Sequence, residues 1–237
     1  MSGSPSSVAF ARAAAYGLLA AALEYPRPEA RSRIDGALPA AAAGARCLPP
    51  GCRGPLRRLA AELHAIGADD AERAYLRVFG HAGTPTAVPY EAAYVTTNVF
   101  QETDVLADVA GFYRAFGLAP DRERPDHVRL ELEFAHILCF KEGYARRHHG
   151  GAEVAICDDG QRAFLAAHLG RWAETFFRRL RASSDGTHYA LVADLGEAFC
   201  GGEAARAGAA GIGRAPHVPE VPEPGVWSCP LAPEPSA

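Results

Sequence analysis

Val, Ile and Thr are sparse in this 237-residue chain, while Ala and Leu dominate wherever the pattern is periodic. That shortage disfavours sheet, which draws on β-branched residues, and favours helix. There is no Walker loop, no Gly-x-Gly-x-x-Gly and no Gly-x-Ser-x-Gly, so nothing signals a phosphate cradle or a nucleophile elbow. No basic face stands out, and the net charge of -4 argues against a general nucleic-acid binder. Apolar runs are short. The longest N-terminal one, residues 13–23, cannot span a bilayer. Only Arg12 is basic before it and no polar cleavage region follows, so it reads as a first helix, with no stable membrane insertion. No internal repeat of fixed period is present.

Six cysteines are scattered rather than clustered, which fits a reducing, cytoplasmic setting better than a disulfide scaffold. Cys139 and Cys200 fall in apolar helical patterns and read as buried thiols. Cys47 and Cys52 flank a proline-rich loop, but no second pair at matching spacing completes a zinc site. His148-His149 end a helix, where imidazole favours the negative dipole end. His64, His136 and His168 do not form an obvious ligand set. No metal and no cofactor are expected.

What is present is helical periodicity. Residues 1–204 read as one all-α, single-domain helical bundle, and residues 205–237 as a Pro/Gly-rich mobile tail. Ser6-Ser7 offer the first N-cap, and Tyr16, Leu19 and Leu23 share a face. Residues 28–42 form a weaker helix, 44–54 a loop, and Pro55 suits the first turn of a helix carrying Leu56, Leu59, Leu63 and Ile66. Asp69-Asp70 open the next, with Tyr75, Leu76 and Phe79 inward. Residues 80–88 are loop.

Residues 101–116 carry Val105, Val109, Phe112, Tyr113 and Phe116 at helical spacing. Gly117 fits a left-handed cap, with Pro120 beyond it. Residues 128–134 alternate like a strand but also fit helical spacing through Ile137 and Leu138. With no second alternating segment to pair with, helix through about Arg147 is expected. Asp158-Asp159 are expected to cap one long helix with Leu165, Leu169, Trp172, Phe176 and Leu180 inward. A last helix carries Leu191, Leu195 and Phe199 and should end at Gly201-Gly202.

The chain is organised around residues 75–134. Two proline-anchored loops, closing on Pro89-Tyr90-Glu91 and on Pro125-Asp126-His127, deliver polar side chains beside an aromatic helix. Asp126 can face a cationic ligand and His127 can donate or accept; the plainer reading, which pattern alone favours, is a helix-start acid and a histidine tied to a nearby carbonyl. Glu91 has the same two readings. Tyr90 and Tyr94 can line a groove with a wet edge, whereas Phe112 and Phe116 are expected in the core. The layout suits holding a peptide better than breaking a bond.

This segment resembles the TorD/DmsD/NarJ family of redox-enzyme maturation chaperones. The resemblance is carried by Tyr75-Leu76 with Phe79-Gly80, Pro89-Tyr90-Glu91 with Tyr94, Phe112-Tyr113 with Phe116-Gly117-Leu118, and Glu123 with Pro125-Asp126-His127 and Glu131-Leu132-Glu133-Phe134. Ala92 stands where a serine commonly follows the Tyr-Glu pair. The resemblance implies an all-helical, non-catalytic protein. It would bind the twin-arginine leader, or an N-terminal segment, of the apo-form of a molybdopterin-containing oxidoreductase subunit and hold it until the cofactor is in. Asp126 and His127 would inherit the signal-binding role, with Glu91 and Tyr90 in weaker versions. The protein would be a monomer or weak homodimer. The rival is a small helical metal-dependent hydrolase using the Asp126/His127 region; a third reading is a permanent subunit of a respiratory complex.

Overall fold

The computed structural model describes residues 4–80, 86–119, 123–212 and 216, and of Val99 and Phe100 the backbone only. Part of the 80–88 loop, Pro120, Cys229 and most of the expected tail lie outside the described residues. Among those described, the chain forms ten α-helices: α1 Pro5–Ala22, α2 Pro28–Ala43, α3 Arg53–Ala65, α4 Ala68–Phe79, α5 Ala92–Val95, α6 Val99–Ala115, α7 Val128–His148, α8 Gly151–Ala167, α9 Leu169–Ser183 and α10 Tyr189–Ala207. Strands are absent from this region, so the sheet-poor composition is expressed as an all-α bundle, with α7 lying along α1, α10 along α9, and α2 against α1.

Most helix limits follow local chemistry. Pro5 takes the first turn of α1, where its missing N–H costs nothing. The cap is Ser4, whose Oγ accepts the Ser7 N–H at 3.3 Å, not the expected Ser6-Ser7 pair. The 128–134 segment is helix, as its longer-range spacing requires. Gly117 closes the turn after α6 at φ 75°, which only glycine adopts freely.

The α3 helix starts at Arg53, which leaves Pro55 in its first turn as expected. Three expectations fail for tertiary reasons. Leu76 is 53% exposed on α4 rather than inward. Asp158-Asp159 lie inside α8, and the single long helix is two, broken at His168 (φ -127°, ψ -105°). The inner stripe survives the break, since Leu165, Leu169, Trp172, Phe176 and Leu180 are all buried. Finally, α10 runs through Gly201-Gly202 to Ala207. A Cβ on Gly202 would sit 2.4 Å from the Pro49 Cβ, so this glycine permits a close approach instead of ending the helix.

One core runs through the bundle, with Leu18, Leu132, Leu138, Phe164, Phe176 and Phe199 fully buried in it. Within it lies a charge. Arg12 of α1 is 5% exposed. Its Nε donates to Glu203 Oε1 at 2.9 Å on α10, its Nη1 to Glu142 Oε2 at 3.2 Å on α7, and its Nη2 to Gln161 Oε1 at 2.7 Å on α8. Tyr16 Oη adds a bond to Glu203 Oε2 at 3.0 Å, and Gln161 Nε2 one to Glu142 at 2.8 Å. Burial pushes the Glu142 carboxyl up, but hydrogen bonds from Gln161 and Arg146 outweigh it and hold the group below its usual value. Four helices share one satisfied polar centre.

Removing one member of such a buried set strands the others. Arg12→Ala is expected to cost roughly 3–5 kcal/mol in urea-unfolding free energy, against well under 1 kcal/mol for breaking the exposed Arg31–Asp35 pair. Equal losses from the two would show that the buried centre has no special weight.

Candidate functional site

The two proline loops meet. The Pro89 carbonyl accepts the Val128 N–H at 2.8 Å, and the Asp126 carbonyl accepts the Glu91 N–H at 2.9 Å. The pair forms an isolated antiparallel bridge between Tyr90 and His127. Proline donates no hydrogen bond, but its carbonyl still accepts. Pro125 uses its own to take the Tyr113 hydroxyl of α6 at 2.8 Å. The bridge sets the Tyr90 and His127 rings edge to face, 5.2 Å apart and 83° inclined.

Asp126 is 0% exposed. Its Oδ2 accepts the first N–H of α5, from Ala92, at 3.1 Å. Arg124 grips it in a fork, Nε to Oδ1 at 3.0 Å and Nη2 to Oδ2 at 2.9 Å. The same guanidinium reaches Glu102 of α6 at 2.7 Å and lies 4.6 Å above the Tyr90 ring. Its side chain remains 38% exposed. His127 caps α7: Nδ1 accepts the Arg129 N–H at 3.1 Å. Burial pulls this imidazole down to about 4, which keeps the Nδ1 lone pair free to accept.

Behind the loops lies a second cluster. Glu91 is 1% exposed, with Oε2 3.0 Å from His168 Nδ1 at the α8–α9 break. His168 Nε2 is 3.3 Å from Asp108 Oδ2, but the angle does not make a hydrogen bond. Glu131 of α7 is fully buried; Oε2 accepts the Trp172 Nε1–H at 3.1 Å, while Oε1 has no partner among the described residues. Burial raises the Glu91 carboxyl, with His168 pulling the other way. Burial first, and then the charge of Glu91, push Glu131 well above the usual carboxylate value.

Of the five residues singled out from sequence, Tyr90, Glu91, Asp126 and His127 come together. Tyr94 does not join them at a wet edge. It is 0% exposed on α5, its ring 5.1 Å from that of Trp172. Phe112 and Phe116 are partly buried and packed on the core. Both acids are turned inward, and what reaches the surface is Tyr90, His127 and the Arg124 guanidinium. Sequence reasoning missed Arg124, Glu102 and Glu131 as partners. Arg124 carried a signal, an arginine two residues before a loop acid, while Glu102 and Glu131 sit on helices where charge is ordinary.

The arrangement is suited to guanidinium–carboxylate pairing beside an aromatic face. It leaves the hydrolase alternative little to use, because Asp126 is gripped by Arg124 and His127 by the α7 start. Among the described residues no group of three or more His, Cys, Asp or Glu side chains is placed to hold a metal ion. Burial raises the Cys52 thiol to about 11 and the Cys139 thiol to about 12, so neither is an activated nucleophile. No helix among the described residues is long and apolar enough to cross a membrane.

The pattern of the nitrate reductase delta subunit family matches residues 45–178. The chain is 33% identical over 123 residues to the chlorate reductase assembly chaperone protein of Ideonella dechloratans, covering 50% of this chain and 62% of that one. It is 28% identical over 197 residues to the perchlorate reductase assembly chaperone protein of Dechloromonas aromatica (strain RCB), covering 80% and 86%. It is 31% identical over 122 residues to the selenate reductase assembly chaperone protein of Thauera selenatis, covering 50% and 62%. The match thus spans less than two thirds of the chlorate and selenate relatives.

A buried acid whose pKa is raised on folding binds more protons folded than unfolded. Its contribution is therefore complete below the usual 4.5 and is lost as pH climbs toward the folded value. Glu131→Gln keeps an acceptor for Trp172 and removes that loss. The variant should melt higher than the parent at pH 7, and its stability should vary less with pH above about 4.5. Identical pH–stability curves for the two proteins would show that Glu131 pays no such cost.

Proposed function

The chain belongs to the nitrate reductase delta subunit family, a family of redox-enzyme assembly chaperones and not of catalysts, and from that premise we propose that it holds the leader or N-terminal segment of an apo-oxidoreductase. The cargo would be the molybdopterin-containing catalytic subunit of an oxyanion reductase, the class of enzyme that the relatives' names share. Holding lasts in the cytoplasm until the cofactor is inserted, before export or assembly. The protein would act as a monomer or weak homodimer.

The observation that carries this reading is Arg124. Its guanidinium is forked on Asp126, paired to Glu102 and laid over Tyr90, which is how a leader arginine would sit. Arg124 occupies the place from within, at the more exposed end of the clasp. A guest arginine enters by exchange: Arg124 swings to water, and the guest takes the carboxylate and the ring. Exchange reconciles the inward-facing acid with a role in recognition, since Asp126 is never left uncompensated. It also keeps affinity modest, as release demands, because each guest contact replaces an existing one. His127, opposite Tyr90, completes the ring surface, and Glu91 fixes its loop from behind through His168.

Calorimetry with the twin-arginine leader peptide of the host's own molybdopterin reductase tests the exchange. Asp126→Asn keeps an acceptor for the Ala92 N–H but loses a charge-assisted pair, and should weaken binding about tenfold or more. Arg124→Gln removes the internal competitor and should tighten binding several-fold. A leader with both arginines changed to glutamine should bind both variants and the parent alike. If Arg124→Gln weakens binding as much as Asp126→Asn does, Arg124 is scaffolding and the exchange does not occur.

A further inference from the structure

Apolar surface stands open away from the clasp, along α7. Among the described residues four large hydrophobic side chains are exposed, and three of them are Phe140 and Tyr144 on α7 and Ile156 on α8. Two hollows of about 530 and 500 Å³ meet at Phe140, one walled by α1 and α2 and the other by the start of α8. They share His136, Ile137 and Phe140, and so form one groove. Its lining is aromatic: Phe10 meets Phe140 edge to face, with ring centres 5.5 Å apart, and His148 lies 4.5 Å from Tyr144. An apolar surface of this extent calls for something to cover it.

Two cations flank the strip without an acid. Lys141 Nζ donates to the Phe116 carbonyl at 3.3 Å, and the Arg147 guanidinium lies 4.6 Å over the Phe10 ring. Neither is ion-paired among the described residues. The acids nearby are engaged: Glu133 with Arg129, Glu153 with the Gly150 N–H, and Asp158 and Asp159 with Arg162. Lys141 and Arg147 are about 9 Å apart along the helix axis. The groove therefore fits an extended apolar segment that carries two acids at a similar spacing.

The chain itself contains such a segment. Residues 218–223 read Val-Pro-Glu twice over, and Val226, Trp227 and Leu231 follow. A polyproline II helix has three residues per turn, so in that form both valines share one edge, while Glu220 and Glu223 share another about 9 Å apart. Proline-rich segments of this kind dock in aromatic-lined grooves. The segment is also within reach. Ile212 is fixed on α9, its N–H donating to the Arg171 carbonyl at 2.7 Å and its carbonyl accepting the Thr175 hydroxyl at 2.6 Å. From Arg171 back to Cys157 in the groove wall is roughly 21 Å of helix. Residues 213–225 can extend over about 40 Å in polyproline form. A tether of that length presents the segment at about millimolar effective concentration, so a weak contact suffices.

We propose that residues 218–231 lie in the α7 groove of their own chain, with the valines and Trp227 on Phe140 and Tyr144, and with Glu220 and Glu223 toward Lys141 and Arg147. The groove shares no residue with the Tyr90–His127 clasp, and the contact does not depend on arginine exchange there.

Trp227 reports on the contact. The other tryptophan, Trp172, is fully buried, and Trp227→Phe gives its emission alone. The difference spectrum of the full chain should show Trp227 blue-shifted and several-fold less open to acrylamide than in a free peptide of residues 217–232. Phe140→Ser and Tyr144→Ser, both at half-exposed positions, should red-shift Trp227 and open it to the quencher. Glu220→Lys with Glu223→Lys should do the same, and adding Lys141→Glu with Arg147→Glu should restore protection, a result that misfolding would not give. Trp227 as open as in the free peptide overturns the proposal, as does protection indifferent to the groove variants. Protection that fades on dilution places the segment on a second copy, and protection that appears only with anionic phospholipid vesicles places it on lipid; either outcome overturns the contact within one chain.

Discussion

A carboxylate with no access to water must find its compensation inside the protein, and Asp126 is such a carboxylate. Everything about the clasp follows from how it is met. The Ala92 N–H orients one oxygen, Arg124 forks both, and the Asp126 carbonyl holds the Glu91 N–H. These bonds bring the two loops into register as a single antiparallel bridge. Tyr90 and His127 are opposite each other because the register leaves them no other place. Without the buried acid the loops would have one backbone pairing and two prolines, and little to hold a ring surface in a fixed attitude.

Two other buried polar centres lie among the described residues, and they differ in a telling way. Around Arg12 the charges are matched by several short bonds from four helices, so this centre locks the bundle. Around Glu91 and Glu131 two carboxyls share a dry region with one histidine and one indole, and an oxygen of Glu131 is left over. A satisfied network specifies a fold; an unsatisfied one stores cost. The costly centre lies directly behind the loops that would move during arginine exchange. The locked centre lies about three turns further along α7, at Glu142.

How far the sequence could be read depended on the range of the interactions. Helix α7 was legible because its spacing runs across twenty-one residues and no second alternating segment competed. Gly117 was legible because a left-handed cap is a local need. The break at His168 was not, since Leu165 and Leu169 keep the apolar stripe in phase across it. Gly202 looked like a stop because the partner that needs its bare Cα, Pro49, lies far back in the chain. At the site, residue types and their meeting were readable from the proline-set loops. Their burial was not: Glu91 turns inward toward a histidine seventy-seven residues on, and no window around either residue holds that pairing.

The inward turn of the acids bears on what kind of recognition this surface can perform. An exposed acidic groove attracts any basic segment, and its selectivity falls with salt. A buried carboxylate already paired with an arginine is neutral from outside and admits only a group that reproduces the fork, the ring contact and the charge together. Lysine matches the charge but not the fork, so the same geometry that hides Asp126 would favour arginine over lysine in a guest. Under the proposed exchange, discrimination would come from what the resident Arg124 already satisfies, since a guest would have to equal it before displacing it.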